Sequence, residues 1–209
     1  MKWLARMRVP YEVAAENRLR NGYDWHQALW RAFPGRDGHA RDFLTRVDKK
    51  EKDFTAYLLS EHKPVCPLWC PEEFWKLSEI KDTFLNHEYY RFDLLANPTR
   101  KVAKIGTDGE RTKNGRREAI LTPEEQGGWL KRKAEQGGFK VLDAPPLEIG
   151  KAQRLTFGRK QGDGSHFGVH FKGVLQVTDR SNFRETFRQG VGPAKGFGFG
   201  MLMMQPVTL

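Results

Sequence analysis

Cysteine is scarce in this chain of 209 residues, and long apolar runs are missing altogether. The two cysteines, Cys66 and Cys70, are too few for a disulfide scaffold, so a reducing cytoplasm is the expected location. They also lack a second ligand pair at zinc-finger spacing, and no metal site is expected. Because no run of 18 apolar residues occurs and the first ten residues carry charges throughout, neither a membrane span nor a signal peptide is expected.

Basic residues are in excess, and the excess is concentrated in one segment. The chain has 36 Lys and Arg against 26 Asp and Glu, a formal net charge of +10. Residues 100–160 hold 15 basic and 8 acidic side chains, whereas residues 1–99 are nearly neutral. This asymmetry indicates a polyanionic partner, with nucleic acid favoured over an acidic membrane. A solvated, highly soluble surface is the simpler alternative.

The first part of the chain shows the pattern of a ferredoxin-like unit. Alternation over Lys2–Val9 predicts a half-buried strand, and the apolar spacing after Asp24 predicts a helix that Asp24 caps. Two strands follow, over Phe43–Val47 and Phe54–Leu59. Glu72–Ile80 fits either a helix or a strand. The order β-α-β-β is the first two-thirds of a βαββαβ unit.

The second part of the chain repeats this order. A strand is predicted over Tyr89–Leu95, and Lys101–Ile105 is interpreted as its resumption. Thr122 begins a helix that Gly137 and Gly138 end. The remaining predictions are strands at Gln153–Phe157 and Phe167–Val177, a helix at Asp179–Gln189 and a strand at Phe199–Val207. The predicted fold class is therefore α+β, with two tandem ferredoxin-like (βαββαβ, RRM-like) domains over residues 1–82 and 83–209.

A glycine-rich segment lies near the end of the chain and contains Gly190, Gly192, Gly196, Gly198 and Gly200. It has no Gly-Lys-Ser/Thr ending and lies between a predicted helix and strand, the reverse of phosphate-cradling loops, so no nucleotide cofactor is expected. Its backbone can still approach phosphates closely. A tight helix-to-strand connection packed under the second sheet is an equally good interpretation.

Four separated motifs resemble one protein family. Arg188–Val207 (RQGVGPAKGFGFGMLMMQPV) looks like the C-terminal glycine-rich signature of the RAMP superfamily of CRISPR proteins. Tyr23–Pro34 (YDWHQALWRAFP) resembles the N-terminal helix of its CasE branch, the endoribonucleases that process precursor crRNA in type I-E systems. Leu94–Lys101 (LLANPTRK) and Thr122–Phe139 (TPEEQGGWLKRKAEQGGF) match that branch in order and spacing.

The resemblance implies a function as well as a fold. It implies two ferredoxin-like domains and metal-independent cleavage of CRISPR repeat RNA at the base of its stem-loop, giving 2′,3′-cyclic phosphate and 5′-OH ends. Members of the family commonly retain the mature crRNA and join the Cascade complex, so that RNA and other Cascade subunits are the expected partners. A non-catalytic RAMP-type subunit that only binds guide RNA is the main alternative. A basic protein that binds nucleic acid without specificity is the third.

Three residues of the first predicted helix are candidates for catalysis. If Asp24 is the cap, His26 lies in the first turn, where the helix dipole favours a neutral imidazole suited to general-base work; the matching family position is the catalytic histidine. The family position of Tyr23 can carry a functional tyrosine, although Tyr23 could instead pack as a staple on Ala28. A family lysine is sometimes found at the position of Arg31, where a cation could stabilise the crowded phosphorane. Helical geometry counts against this role, because it turns Arg31 about 140° away from His26.

Basic side chains for RNA binding fall into three groups and one single residue. The groups are a loop group that includes Arg116 and Arg117, a helix group of Lys131, Arg132 and Lys133, and a strand group of Arg154, Arg159 and Lys160. The strand group falls where the family presents its stem-binding hairpin, and Lys195 is expected to help place the phosphate near the cut. His166 and His170 alternate on a predicted strand and are interpreted as surface residues rather than metal ligands.

Overall fold

The computed structural model describes residues 1–36, 39–103, 115–157 and 164–209. The first sheet contains β1 (Trp3–Pro10), β2 (Phe43–Lys49), β3 (Asp53–Ser60) and β4 (Trp75–Glu79), and helices α1 (Tyr11–Glu16) and α2 (Gly22–Trp30) lie between β1 and β2. The strand order is β2-β3-β1-β4 with every neighbour antiparallel. This is the strand order of a ferredoxin-like sheet.

The predicted alternation in β1 is present. Ala5, Met7 and Val9 are buried while Arg6 and Arg8 face outward. Helix α2 buries its apolar side, which includes Trp25, Ala28 and Leu29, in the same core. The ambiguous segment at residues 72–80 resolves into a 3-10 turn (Glu72–Phe74) followed by β4.

The first domain has a loop where the motif has its second helix. Residues 61–71, between β3 and the 3-10 turn, form this loop, and it packs against α2. The indole of Trp69 donates to the carbonyl of Ala28 at 3.0 Å, and the Val65 N–H donates to the carbonyl of Ala32 at 2.9 Å. The loop thereby covers the apolar surface that a helix would otherwise cover.

The second sheet has the same strand order. Its elements, with the hairpin β6–β7 that precedes α3, are β5 (Tyr89–Ala96), β6 (Thr99–Val102), β7 (Arg116–Ala119), α3 (Pro123–Gln136), β8 (Phe139–Val141), β9 (Glu148–Ile149), β10 (Gln153–Phe157), β11 (Gly164–Val177), α4 (Arg180–Gln189) and β12 (Leu202–Pro206). The path is β10-β11-β5-β12, and β8 and β9 also pair with β11. Three short strands therefore occupy the place of the second strand of the motif.

Two tandem ferredoxin-like folds are thus confirmed, while the boundary at residues 82 and 83 stays a prediction. The segment after β5 differs from expectation, because β6 forms a separate hairpin with β7 instead of continuing β5. No helix within the described residues is long and apolar enough to span a membrane.

The two sheets contact each other through apolar and charged groups. Leu44 and Leu59 of the first sheet share a buried cluster with Phe187 of α4 and Met201. The guanidinium of Arg46, 4% exposed on β2, pairs at 2.8 Å with Asp93 of β5. These contacts bring α2 and the glycine-rich segment to the same side of the molecule.

Candidate active site

Helix α2 begins three residues earlier than the sequence predicts. Asn21 is the N-cap, and its Oδ1 accepts from the backbone N–H groups of Tyr23 at 2.9 Å and Asp24 at 3.2 Å. The prediction that Asp24 caps the helix is wrong; its carboxylate instead accepts from the backbone N–H of Arg20 at 3.1 Å. His26 therefore lies beyond the first turn, where the helix dipole acts only weakly.

His26 is held by the indole of Trp30, one turn further along α2. Trp30 Nε1 donates to His26 Nε2 at 3.0 Å, and the ring of Phe43 lies 5.9 Å from the imidazole. A ring nitrogen that accepts a hydrogen bond carries no proton, so the proton of the neutral imidazole is on Nδ1. Nδ1 is buried, and no acceptor for it occurs among the described residues. Nε2 is consequently the one nitrogen that can take up a proton.

The surroundings of His26 favour its neutral form. Burial lowers the pKa of His26, and the positive charge of Arg41 lowers it further. The neutral state that the sequence attributes to the helix dipole therefore has a different origin, desolvation and a neighbouring cation. The imidazole is a base that stays unprotonated near neutral pH.

Arg41 lies in the coil just before β2 and connects His26 with the glycine-rich loop, which we define as Gly190–Gly200. Its Nη1 lies 3.5 Å from the place that a Cβ on Gly196 would occupy. Burial lowers the pKa of Lys195, and Arg41 is the next largest cause. His26, Arg41 and Lys195 thus form one basic cluster. Sequence reasoning missed Arg41 because no motif marks a single arginine in coil.

The glycine-rich loop connects α4 to β12 and is closed on itself. The Val191 N–H donates to the carbonyl of Gly200 at 2.8 Å. Gly190 and Gly192 have φ of 77° and 82°; a Cβ on Gly190 would lie 2.8 Å from the Gly200 oxygen, and one on Gly192 would lie 2.9 Å from the ring of Trp129. These positions need glycine for packing, which supports the interpretation as a tight connection.

The glycine-rich loop also contacts the start of α2. A Cβ on Gly22 would lie 3.3 Å from the carbonyl oxygen of Phe197. Gly198 and Gly200 both have φ of 87° and lead the chain back into β12. The loop therefore lies between the helix that carries His26 and the second sheet.

Two clefts flank this loop, and both contain basic residues that the sequence singles out. A cleft of about 340 Å³ lies between the start of α2 and the β10–β11 pair, and it is lined by Arg20, Lys49 and Arg154. A second cleft, of about 510 Å³, lies between α3 and the loop, and it is lined by Lys101, Arg117, Lys133 and Lys195. The basic groups therefore converge on the glycine-rich loop from two sides.

Other predicted contacts are not brought to the clefts. Lys131 pairs with Asp143 at 3.3 Å, and Arg116 pairs with Glu118 at 2.6 Å. Arg132 is exposed next to Lys131 on α3, so consecutive members of the helix group point in different directions. Arg159 and Lys160 lie outside the described residues.

The two remaining candidates on α2 lie at its ends. Tyr23 is 48% exposed at the second helical position, and Arg31 is an exposed C-cap.

His166 differs from its predicted surface position, because its ring packs 4.8 Å from that of Phe197. Within the described ranges, no group of three or more His, Cys, Asp or Glu side chains is placed to hold a metal ion.

A family model and individual relatives point to CRISPR-associated proteins. The model of the family described as "CRISPR associated protein" matches residues 2–206. CRISPR-associated endoribonuclease Cse3 of Thermus thermophilus is 36% identical over 126 residues, which cover 56% of this chain but only 55% of that protein. CRISPR system Cascade subunit CasE of Escherichia coli is 28% identical over 191 residues, 90% of this chain and 94% of that protein.

One solved structure extends the similarity to a complex with RNA. Thermus thermophilus Cse3 bound to an RNA representing a pre-cleavage complex superimposes with a TM-score of 0.77 at 26% identity. The superposition covers 98% of this chain and 99% of that one.

Proposed function

The chain belongs to the CRISPR-associated protein family, and from this we propose that it is a metal-independent endoribonuclease that cuts CRISPR repeat RNA at the base of its stem-loop. The observation that carries the proposal is His26, held neutral by burial and Arg41, with one proton-accepting nitrogen and two cations nearby. The similarity to Cse3, solved with a pre-cleavage RNA, supports the same reaction class.

In the proposed reaction the 2′-OH of the RNA attacks the adjacent phosphate. His26 Nε2 takes up the hydroxyl proton, a 2′-O–P bond forms, and the P–O5′ bond breaks. The products are a 2′,3′-cyclic phosphate and a 5′-OH, the latter taking a proton from solvent. Because the Trp30 indole occupies Nε2, it has to move aside before His26 can act, at a cost of about 1 kcal/mol.

Further roles are proposed for the exposed groups around this centre. Tyr23, exposed near the start of α2, orients the 2′-OH. Arg154 in one cleft and Lys133 in the other bind phosphates of the stem, because a protein grips an A-form duplex chiefly through its backbone. Phosphate stabilisation by Arg31 stays a prediction.

The proposal extends to the fate of the product. We propose that the enzyme retains the mature crRNA and joins other Cascade subunits in the cytoplasm, since one of its relatives is named as a Cascade subunit. Retention agrees with two basic clefts that share the glycine-rich loop.

A cleavage assay with the cognate repeat RNA in EDTA tests the function. The wild type should give a cyclic phosphate, and His26→Ala should lower the rate by about 100- to 10,000-fold with RNA binding retained. His87→Ala, which removes an exposed histidine outside the cluster, is the matched control and should cut normally. Cleavage by His26→Ala at the wild-type rate would refute the mechanism. Binding without cutting by the wild type would favour a guide-RNA-binding subunit, and equal binding of any duplex would favour a non-specific protein.

A further inference from the structure

Arg41 is a charged side chain in an environment that does not neutralise it. Burial lowers the pKa of its guanidinium, and Nη1 is buried with no acceptor among the described residues. The adjacent carboxylate of Asp42 is engaged elsewhere, by Arg36 at 2.8 Å and His62 at 3.3 Å. A half-buried cation with an unpartnered, buried N–H group and no ion pair among the described residues is costly, so its retention calls for a functional reason.

Two groups close to Arg41 are potential ligands of an anion. His26 approaches from α2 and Lys195 from the glycine-rich loop, and the charge of Arg41 lowers the pKa of both. Gly196 places no side chain between the guanidinium and the loop. A phosphodiester at this point would supply the negative charge that the described residues around Arg41 do not.

We propose that Arg41 binds the phosphate at which the RNA is cut and is therefore a catalytic residue. The inference rests on the proposed ribonuclease function. It assigns to Arg41 the electrostatic role that the sequence offered to Arg31, which lies at the opposite end of α2 from the N-cap and outside the basic cluster.

A guanidinium suits the negative charge that develops on the phosphate in this reaction. As the 2′-oxygen attacks, negative charge increases on the two non-bridging phosphate oxygens, and a planar fork of N–H donors can bond both. The proton of the 2′-OH passes to His26 Nε2, and Arg41 keeps its own protons throughout. Its contribution is stabilisation of a transition state that is more negative than the bound RNA.

The test compares variants at saturating protein in a single-turnover cleavage assay. Arg41→Gln should lower the cleavage rate by about 100-fold or more, while RNA affinity changes far less. Arg36→Gln removes one positive charge from the same segment but from an ion pair with Asp42, and it should cut at close to the wild-type rate. Arg41→Lys should recover part of the loss, because it restores the charge without the fork.

A second readout does not depend on activity. In an NMR titration without RNA, the pKa of His26 should rise in Arg41→Gln, because a cation that disfavours the imidazolium has been removed. An unchanged cleavage rate in Arg41→Gln would overturn the inference, whatever the pKa of His26, and an unchanged pKa would show that Arg41 does not act on His26. Should Arg41→Gln fail to fold, Arg41→Lys must still cut at least about tenfold more slowly than the wild type, and a wild-type rate would overturn the inference equally.

The outcomes separate this inference from the proposed function. If His26→Ala abolishes cutting and Arg41→Gln does not, the ribonuclease stands and the role of Arg41 is wrong. If His26→Ala cuts normally, the proposed mechanism itself is wrong.

Discussion

At the scale of single residues, the hydrogen bond between Trp30 and His26 has two opposite effects on His26 as a base. The indole N–H fixes the imidazole and stabilises its neutral form, yet it occupies the nitrogen that must accept the proton. The same hydrogen bond therefore keeps His26 unprotonated, yet it must break before Nε2 can accept a proton. RNA binding has to break this bond before the 2′-OH can replace the indole.

Trp30→Phe should shift the acid limb of the pH–rate profile to higher pH. Without the indole donor the imidazolium form of His26 is less disfavoured, so its pKa rises toward its ordinary value. On the plateau at higher pH, the rate should be unchanged or a few-fold faster, because about 1 kcal/mol no longer has to be spent on displacing the indole. The measurements are a pH–rate profile under single turnover at subsaturating protein, which reports the free enzyme, and an NMR titration of His26 without RNA.

The matched control is Trp3→Phe, which removes an indole from β1, where the ring lies 5.1 Å from Nζ of Lys63. An acid limb that moves equally in both variants would contradict a specific role of Trp30. A limb that moves to lower pH in Trp30→Phe would contradict the sign of the effect.

The sequence identifies some of these residues and not others, for a physical reason. His26 is found because a motif and the chemistry of imidazole both single it out. Arg41 is missed because its role depends on His26 and Lys195, which approach it only in the folded chain. Asn21 is missed as the cap because Asp24 is an equally good capping residue, and only the backbone decides between them.

At the scale of elements, the two domains keep the same strand order but vary different parts of the motif. In the first domain the loop at residues 61–71 replaces a helix and buries Trp69. Burial raises the pKa of Cys70 in this loop to about 12, which leaves the thiol protonated and inert. Apolar periodicity predicts strands well, but it does not predict that a loop can take the place of a helix.

The ion pair between β2 and β5 should contribute to the stability of the folded chain. Burial alone would raise the pKa of Asp93, but His170 and Arg46 outweigh it and hold the pKa well below its ordinary value. Asp93→Asn should lower the free energy of unfolding at pH 7 by about 1–3 kcal/mol, because Arg46 loses a charged partner in a buried position. Urea denaturation measures the difference.

The pH dependence of this difference follows from the lowered pKa. A carboxyl group with a depressed pKa in the folded state stabilises fully above its unfolded value of about 3.9, and its contribution is lost as the pH falls below that value. The gap between wild type and Asp93→Asn should therefore shrink below about pH 4. Asp143→Asn, which removes an exposed pair with Lys131, should cost less than about 1 kcal/mol. Equal losses in the two variants would contradict a special role for the buried pair.

At the scale of the whole molecule, cleavage and RNA binding are assigned to different parts of a chain whose net charge is +10. The cutting is assigned to a half-buried cluster between the two sheets, at the nearly neutral N-terminal half. The clefts that flank the glycine-rich loop take their cations mainly from the second domain. Composition alone predicts a polyanionic partner, but it does not show which cations face a cleft and which are paired on the surface.

Lys133 and Lys131 provide a direct test of this division, since they lie on the same helix and carry the same charge. Lys133 lines the cleft beside Lys195, whereas Lys131 points away and pairs with Asp143. Each phosphate contact that a protein loses lowers the slope of the logarithm of affinity against the logarithm of salt concentration by about 1. Lys133→Gln should weaken RNA binding and lower this slope by about that amount, and Lys131→Gln should lower it less.

His26→Gln completes the comparison, because it should lower the cleavage rate without changing RNA binding. Because His26 is neutral and half-buried, it adds no charge to the RNA interface, and its replacement should leave both the affinity and the salt slope unchanged. Filter binding over a range of salt concentrations gives the three slopes. If His26→Gln lowers the slope as much as Lys133→Gln, the histidine carries a charge when RNA is bound, and binding and cutting are not separate tasks of separate residues.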